Sequence, residues 1–221
     1  VAQTAGGSPI KAKATVAKDV RTAGDVYRVP EIEISLKPLS IPGGIGSLTL
    51  SGGLGRFKEP SRSVEAGRHH VAASYASPAI RFSKEVRGSL TFGVRRAWYE
   101  TLDMLDSFTA GARLRGSFGE TEAFGKTVPQ VKAGIGYDFT YVQGASPFSF
   151  DTISAVNKGS ANIDYRVNED WSIGLSTSYD FTKESIDDIG VLLSYHKHCY
   201  DIQAAWHKKQ QAFGIEMKFH M

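Results

Sequence analysis

The chain holds a single cysteine, Cys199, among 221 residues. That excludes an intrachain disulfide and a Cys-rich zinc site, and leaves a buried free thiol or a bond to another chain as its roles. No apolar run reaches the length of about 18 residues that a membrane-spanning helix needs, so membrane β-strands are the only spanning structure open to it. Neither sign of charge dominates: 26 basic against 23 acidic residues give +3, too mild a footprint for nucleic acid. A charged n-region and an apolar h-region are both missing at Val1. The expectation is that any secretory signal has been removed or that the chain is a fragment. No apolar period of 3.6 residues recurs either, so helices are not expected.

What is present is alternation. In "NEDWSIGLSTSYDFTKE", residues 168–184, Trp171, Ile173, Leu175, Thr177, Tyr179 and Phe181 make one face, and Ser172, Gly174, Ser176, Ser178, Asp180 and Thr182 the other. The same two-residue period recurs from end to end, broken by Gly, Pro, Asn, Asp and Ser clusters. It predicts strands at 9–17, 27–36, 46–57, 66–77, 81–98, 107–118, 128–142, 158–167, 171–182, 188–197, 199–208 and 212–220. Residues flanking a hairpin loop point to the same side of a sheet. Three connections obey this: Val167 and Trp171 bracket 168–170 on the apolar side, while His196 with Cys199 and His207 with Ala212 bracket their turns on the polar side.

The apolar faces are aromatic and β-branched, and the opposite faces are Gly, Ser, Thr and charge, too polar for a dry interior. A soluble sandwich would pack the apolar face inward against a second sheet. An outer-membrane barrel would turn it to lipid and line a wet lumen with the polar face. Strands of about ten residues, an even count and aromatics near strand ends favour the barrel. The expected fold is therefore all-β, an antiparallel transmembrane outer-membrane β-barrel of about 12 strands spanning 9–221, after a flexible segment at 1–8. Phe92, Ile135, Trp171, Tyr179, Trp206 and Phe219 are its expected lipid-facing residues. With the last strand ending in the periplasm, the connections near 37–45, 78–80, 119–127, 168–170 and 197–198 share that side. The longest outer loop, 143–157, carries Phe148, Phe150 and Ile153, which suit a cover over the mouth; a plain surface loop is the simpler expectation.

Several stretches resemble the C-terminal barrel of the LPS-assembly outer-membrane protein family, LptD. "VYRVPEIEISL" is similar to its arginine, Pro-Glu and apolar strand signature. "IDYRVNEDWSIGLSTSYDFTKE" resembles its tyrosine-arginine strand, asparagine turn and tyrosine-aspartate strand. "LLSYHKHCYDIQAAWHKKQQAFGIEMKF" resembles its tyrosine-to-cysteine hairpin and terminal strand. The resemblance covers most of residues 26–220. It implies a role in carrying lipopolysaccharide or a related glycolipid to the outer leaflet, with membrane lipids and other envelope proteins as partners and the cell outer membrane as location. The sequence departs from the family in having about twelve strands, no periplasmic lipid-binding domain before residue 9 and no disulfide partners for Cys199.

No catalytic constellation stands out, and the expectation is a non-enzymatic protein without cofactor or metal. Adjacent His69-His70 point to opposite faces and cannot chelate one ion. His196 and His198 would share a side only if the strand continued through the turn. A small pore or structural barrel is the alternative, and a barrel-wall hydrolase the third reading. For the latter, Asp201 and His207 share a face but stand about 20 Å apart along one strand at ~3.3 Å per residue, so contact within the strand is excluded.

Charged residues on the polar faces include Glu31, Glu33, Asp138 and Asp164. Arg87, Arg95, Arg113, Arg115, Lys132 and Arg166 are the candidate contacts for an anion or a lipid phosphate, because guanidinium forks suit phosphate. Mutual pairing of opposite charges across strands is their simpler role. Pro9 and Pro30 cannot donate a ladder hydrogen bond, which marks either a soft seam between the first and last strands or an ordinary bulge.

Overall fold

The computed structural model describes residues 10–19, 26–123, 125–197 and 199–219. Its strands are β1 (Ile10–Asp19), β2 (Val26–Leu36), β3 (Leu39–Ile41), β4 (Gly46–Glu59), β5 (Val64–Ala76), β6 (Ile80–Arg81), β7 (Val86–Tyr99), β8 (Met104–Ala123), β9 (Lys126–Gly144), β10 (Val156–Arg166), β11 (Trp171–Asp180), β12 (Ser185–His196), β13 (Tyr200–His207) and β14 (Ala212–Phe219). Two single 3-10 turns, Pro60–Arg62 and Ser149–Asp151, are the only helical pieces among the described residues. All strands join one 14-stranded sheet in the order β1-β2-β4-β5-β7-β8-β9-β10-β11-β12-β13-β14, with β3 on β4 and β6 on β7. β1 with β2, β4 with β5, β10 with β11 and β13 with β14 pair antiparallel, in ladders whose alternating side chains match the two-residue period.

Each of the twelve expected segments holds a strand, but the expected 81–98 is broken at 82–85 into β6 and β7, and β3 lies in the expected connection 37–45. β8 and β9 extend into 119–127, whose polar residues read as a loop because both faces are hydrophilic there; Gly125, at φ +72°, sits in the tight turn that joins them. The hairpin after β12 is wider than expected: His196 stands opposite Asp201 rather than Cys199, although both readings keep His196 on the polar face. Cys199 is exposed, not buried. Pro30 coincides with a register shift between Arg28 and Glu31 in the β2–β4 ladder, and β2 is paired on both sides, so Pro30 marks a bulge inside the sheet rather than a strand at its end. Pro9 and residues 1–8 lie outside the described residues, as does His198.

The chain forms two compact units. The first comprises Val1–Pro78, Leu90–Ala110 and Thr140–Ala155. Its one buried apolar cluster among the described residues joins Val26, Phe57, Ala66, Ala97, Tyr99, Leu105 and Phe148, with Val64, Val142, Phe150 and Ile153 against it. Ala97 and Tyr99 share the polar side of β7 with Arg95, so this cluster lies on the side opposite Phe92, Val94 and Trp98, all of which are exposed. The second unit comprises Ala79–Ser89, Gly111–Phe139 and Val156–Met221. Its β10–β14 ladder shows the two-faced pattern plainly. Ile163, Leu175 and Val191 align across three strands and are exposed. Ile135 (59% exposed), Trp171, Tyr179, Trp206 and Phe219 (72%) are likewise open. A sandwich core would have buried these side chains; in this sheet they are uncovered.

Candidate functional site

Three polar clusters stand on the strand faces opposite the apolar residues. The first is in the first unit. Register places Glu31 of β2, Gly55 of β4, Arg68 of β5 and Tyr99 of β7 in one cross-strand row. Gly55 has no side chain, which lets Arg68 reach across to Glu31 at 3.1 Å; Glu31 also accepts from Arg28 at 2.7 Å. Asp151 enters from the long loop after β9. It binds Arg68 at 3.0 Å and Arg95 at 2.5 Å and accepts from the Tyr99 hydroxyl. Glu31, Arg68 and Asp151 are almost fully buried. Beside them Phe148 and Phe150 pack on Phe57, and the Arg68 guanidinium lies 4.7 Å from the Phe57 ring centre. Glu59 accepts from the Ser149 backbone N–H at 2.8 Å and from its hydroxyl. The loop is therefore pinned down by charge and aromatic packing, which corrects the simpler expectation of a surface loop.

Burial alone would raise the Asp151 carboxyl. The Tyr99 hydroxyl and the Arg68 and Arg95 guanidinium groups outweigh it and hold Asp151 below the ordinary carboxylate value. Within the network two carboxylates hold three arginines, Glu31 taking Arg28 and Arg68 and Asp151 taking Arg68 and Arg95. Arg95, a candidate for anion contact, is committed to Asp151.

The other two clusters belong to the second unit. Arg113 Nη2 donates to both carboxylate oxygens of Asp138, at 2.8 and 2.7 Å, so it too is paired. Arg166 donates to the Glu169 carbonyl at 3.3 Å, and Lys132 is exposed. Arg87 and Arg115 line a cavity of about 750 Å³ together with Lys84, Arg113, Glu85 and Glu120. Sequence reasoning placed Arg87, Arg113 and Arg115 on one face; the structure brings these three to one cavity, with Arg95 standing elsewhere in the first unit.

The third cluster spans β11, β12 and β13. Ser172 Oγ lies 3.0 Å from His196 Nε2, and His196 Nδ1 lies 2.9 Å from Asp201 Oδ1. In the tautomer with the proton on Nδ1, His196 donates to Asp201 and accepts from Ser172, the order that activates a hydroxyl nucleophile. His207 instead meets Asp188 at 2.9 Å. Both histidines thus find a carboxylate on a neighbouring strand. No group of three metal-binding side chains occurs among the described residues.

Arg68, Asp151, Tyr99 and Glu59 were missed by sequence reasoning. The even-numbered parity of β5 could have placed Arg68 on the polar face; the docking of Asp151 leaves no periodic signal. Ser172 was placed on its face but had no visible partner, because register between β11 and β12 is needed to see His196.

Together the fold and these clusters define an all-β protein built on one large antiparallel sheet, apolar and exposed on one side of its strands and charged on the other. The chain belongs to the family described as protein of unknown function (DUF3769), which matches residues 73–220. A comparison with curated proteins finds no match.

Proposed function

We propose that the sheet closes into an outer-membrane β-barrel that works, without catalysis, in the transport or assembly of envelope lipid, with lipopolysaccharide or a related glycolipid as cargo. The observation that carries this reading is the exposure of Phe92, Ile135, Trp171, Tyr179, Trp206 and Phe219 on the faces opposite the charged rows. Large side chains held in water in such numbers would drive aggregation, whereas hydrocarbon receives them at no cost. Closure would satisfy the backbone groups of the terminal strands in a solvent that offers no hydrogen bonds. The likeness of the β10–β11 and β12–β14 segments to the LPS-assembly translocon supports lipid as the cargo class.

The test is depth-dependent quenching of Trp98, Trp171 and Trp206 in vesicles of brominated lipid, alongside mobility before and after heating. Strong quenching and a heat-modifiable compact band are expected. Fluorescence that resists brominated chains would overturn the reading. Mass spectrometry of co-purified lipid then identifies the cargo.

A second reading, a barrel-wall esterase, is favoured by the Ser172–His196–Asp201 chain. Ser172 Oγ would attack the carbonyl carbon of a carboxylic ester while its proton passes to His196 Nε2 and on to the departing alcohol. Water would then cleave the acyl-serine to acid and free enzyme. A fluorophosphonate probe should label Ser172 and spare Ser172→Ala; an unlabelled wild-type protein discards this reading.

A further inference from the structure

We propose that the second unit carries a binding site for a phosphate-bearing anion, built on a row of arginines from β6, β7 and β8. This deepens the lipid-handling reading and rests on it only for the source of the ligand.

Direct pairing places Arg81 of β6 opposite Arg87 of β7. On the other side of β7, the Ser117 N–H donates to the Glu85 carbonyl at 3.0 Å, and a Cβ on Gly88 would meet the Arg113 carbonyl at 3.3 Å and Leu114 at 3.4 Å. An antiparallel ladder with these contacts sets Arg115 opposite Arg87. Directly opposed residues project to the same face, so Arg81, Arg87 and Arg115 form three like charges abreast. Among the described residues none of the three has an ion-pair partner, in contrast to Arg68, Arg95, Arg96 and Arg113, which each hold a carboxylate.

Like charges directly opposite one another destabilise a sheet. Nothing in the packing requires guanidinium groups here, since all three side chains are exposed. Two of the row, Arg87 and Arg115, line the cavity of about 750 Å³, a volume in the range that small-molecule sites occupy, and Arg81 stands beside Arg87 outside its lining. Lys84 adds a further cation at its rim. Two carboxylates also line it, and one of them, Glu85, already accepts a hydrogen bond from Ser83 at 2.8 Å. An anion with several oxygens would bridge the guanidinium groups bidentately and turn repulsion into attraction. A phosphate is the chemistry that fits, whether it is carried on a lipid headgroup or free in solution.

The electrostatics make the test two-sided. In detergent micelles, without multivalent anion, Arg87→Glu should raise the unfolding midpoint, because a carboxylate between Arg81 and Arg115 replaces two repulsions with two attractions. The same substitution, and the neutral Arg115→Gln, should weaken anion binding by at least ~tenfold by removing one fork. Binding is read as the rise in midpoint on titration with inorganic phosphate at constant ionic strength, and separately with micelles carrying a lipid phosphomonoester, against chloride and a phosphocholine lipid. A rise with both probes, lost in the variants, supports the site for the shared phosphate chemistry. A rise with the lipid alone assigns it to a headgroup, and with phosphate alone to a free anion. No rise in the wild-type protein, or a rise that survives in both variants, overturns the proposal. Because the measurement uses the folded protein in detergent, it stands or falls apart from the tryptophan quenching that tests membrane insertion.

Discussion

Asp151 shows how much one carboxylate can settle. It is the group through which the loop after β9 holds Arg68 and Arg95, and neither arginine is well solvated. Replacing it with Asn should cost about 3 kcal/mol, the low end for breaking a buried pair, because Arg68 keeps Glu31. The measurement is chymotryptic cleavage near Phe148 and Phe150, slow in the wild-type protein and fast in Asp151→Asn. Acid should mimic the mutation. The Asp151 carboxyl is depressed below its ordinary value of 3.8, so its contribution is fully present above that value. It is lost as pH falls from there through the depressed value. Protection of the loop should therefore persist at pH 5 and fade only below about pH 4; release at neutral pH would show that Asp151 is not the latch. At this scale the sequence revealed which face Arg95 and Arg113 occupy, since parity alone decides that. It did not reveal that each is already paired, because Asp151 comes from an irregular loop and Asp138 is matched by a register that hydrophobic period leaves open.

Among the elements, the strands were legible because one face of each carries exposed apolar side chains and the other small or polar ones, which keeps the alternation clean. The parts that escaped are those where alternation lapses: the polar ends of β8 and β9, and the widened hairpin that sets His196 against Asp201. β4 gives a sharper case. A Cβ on Gly55 would lie 3.0 Å from the Glu31 Cα and 3.0 Å from the Pro30 carbonyl, both backbone atoms of β2 that cannot swing aside. Gly55→Ala should push β2 away at its bulge, loosen the Arg68–Glu31 contact and cost about 1–3 kcal/mol. Gly214→Ala is the control, as nothing lies within 4 Å of the atom it adds. Equal unfolding midpoints for the two variants would remove close approach at Gly55 as a determinant of the β2–β4 ladder.

For the molecule as a whole, the all-β antiparallel class followed from two faces of unlike chemistry repeated strand after strand. The division into two units did not follow, because each contains segments of β7, β8 and β9 and a split across strands has no marker in composition. Among the described residues β14 has a ladder on one side alone, with β13, and all eight of its residues are exposed. Along its other side, half of its amides and carbonyls point to no strand. Each such group would cost several kcal/mol in hydrocarbon, while water satisfies it freely. In the proposed barrel, β14 would have to take up a hydrogen-bonding companion before it left the aqueous phase, which would give insertion an enforced order in which strand pairing precedes entry into hydrocarbon.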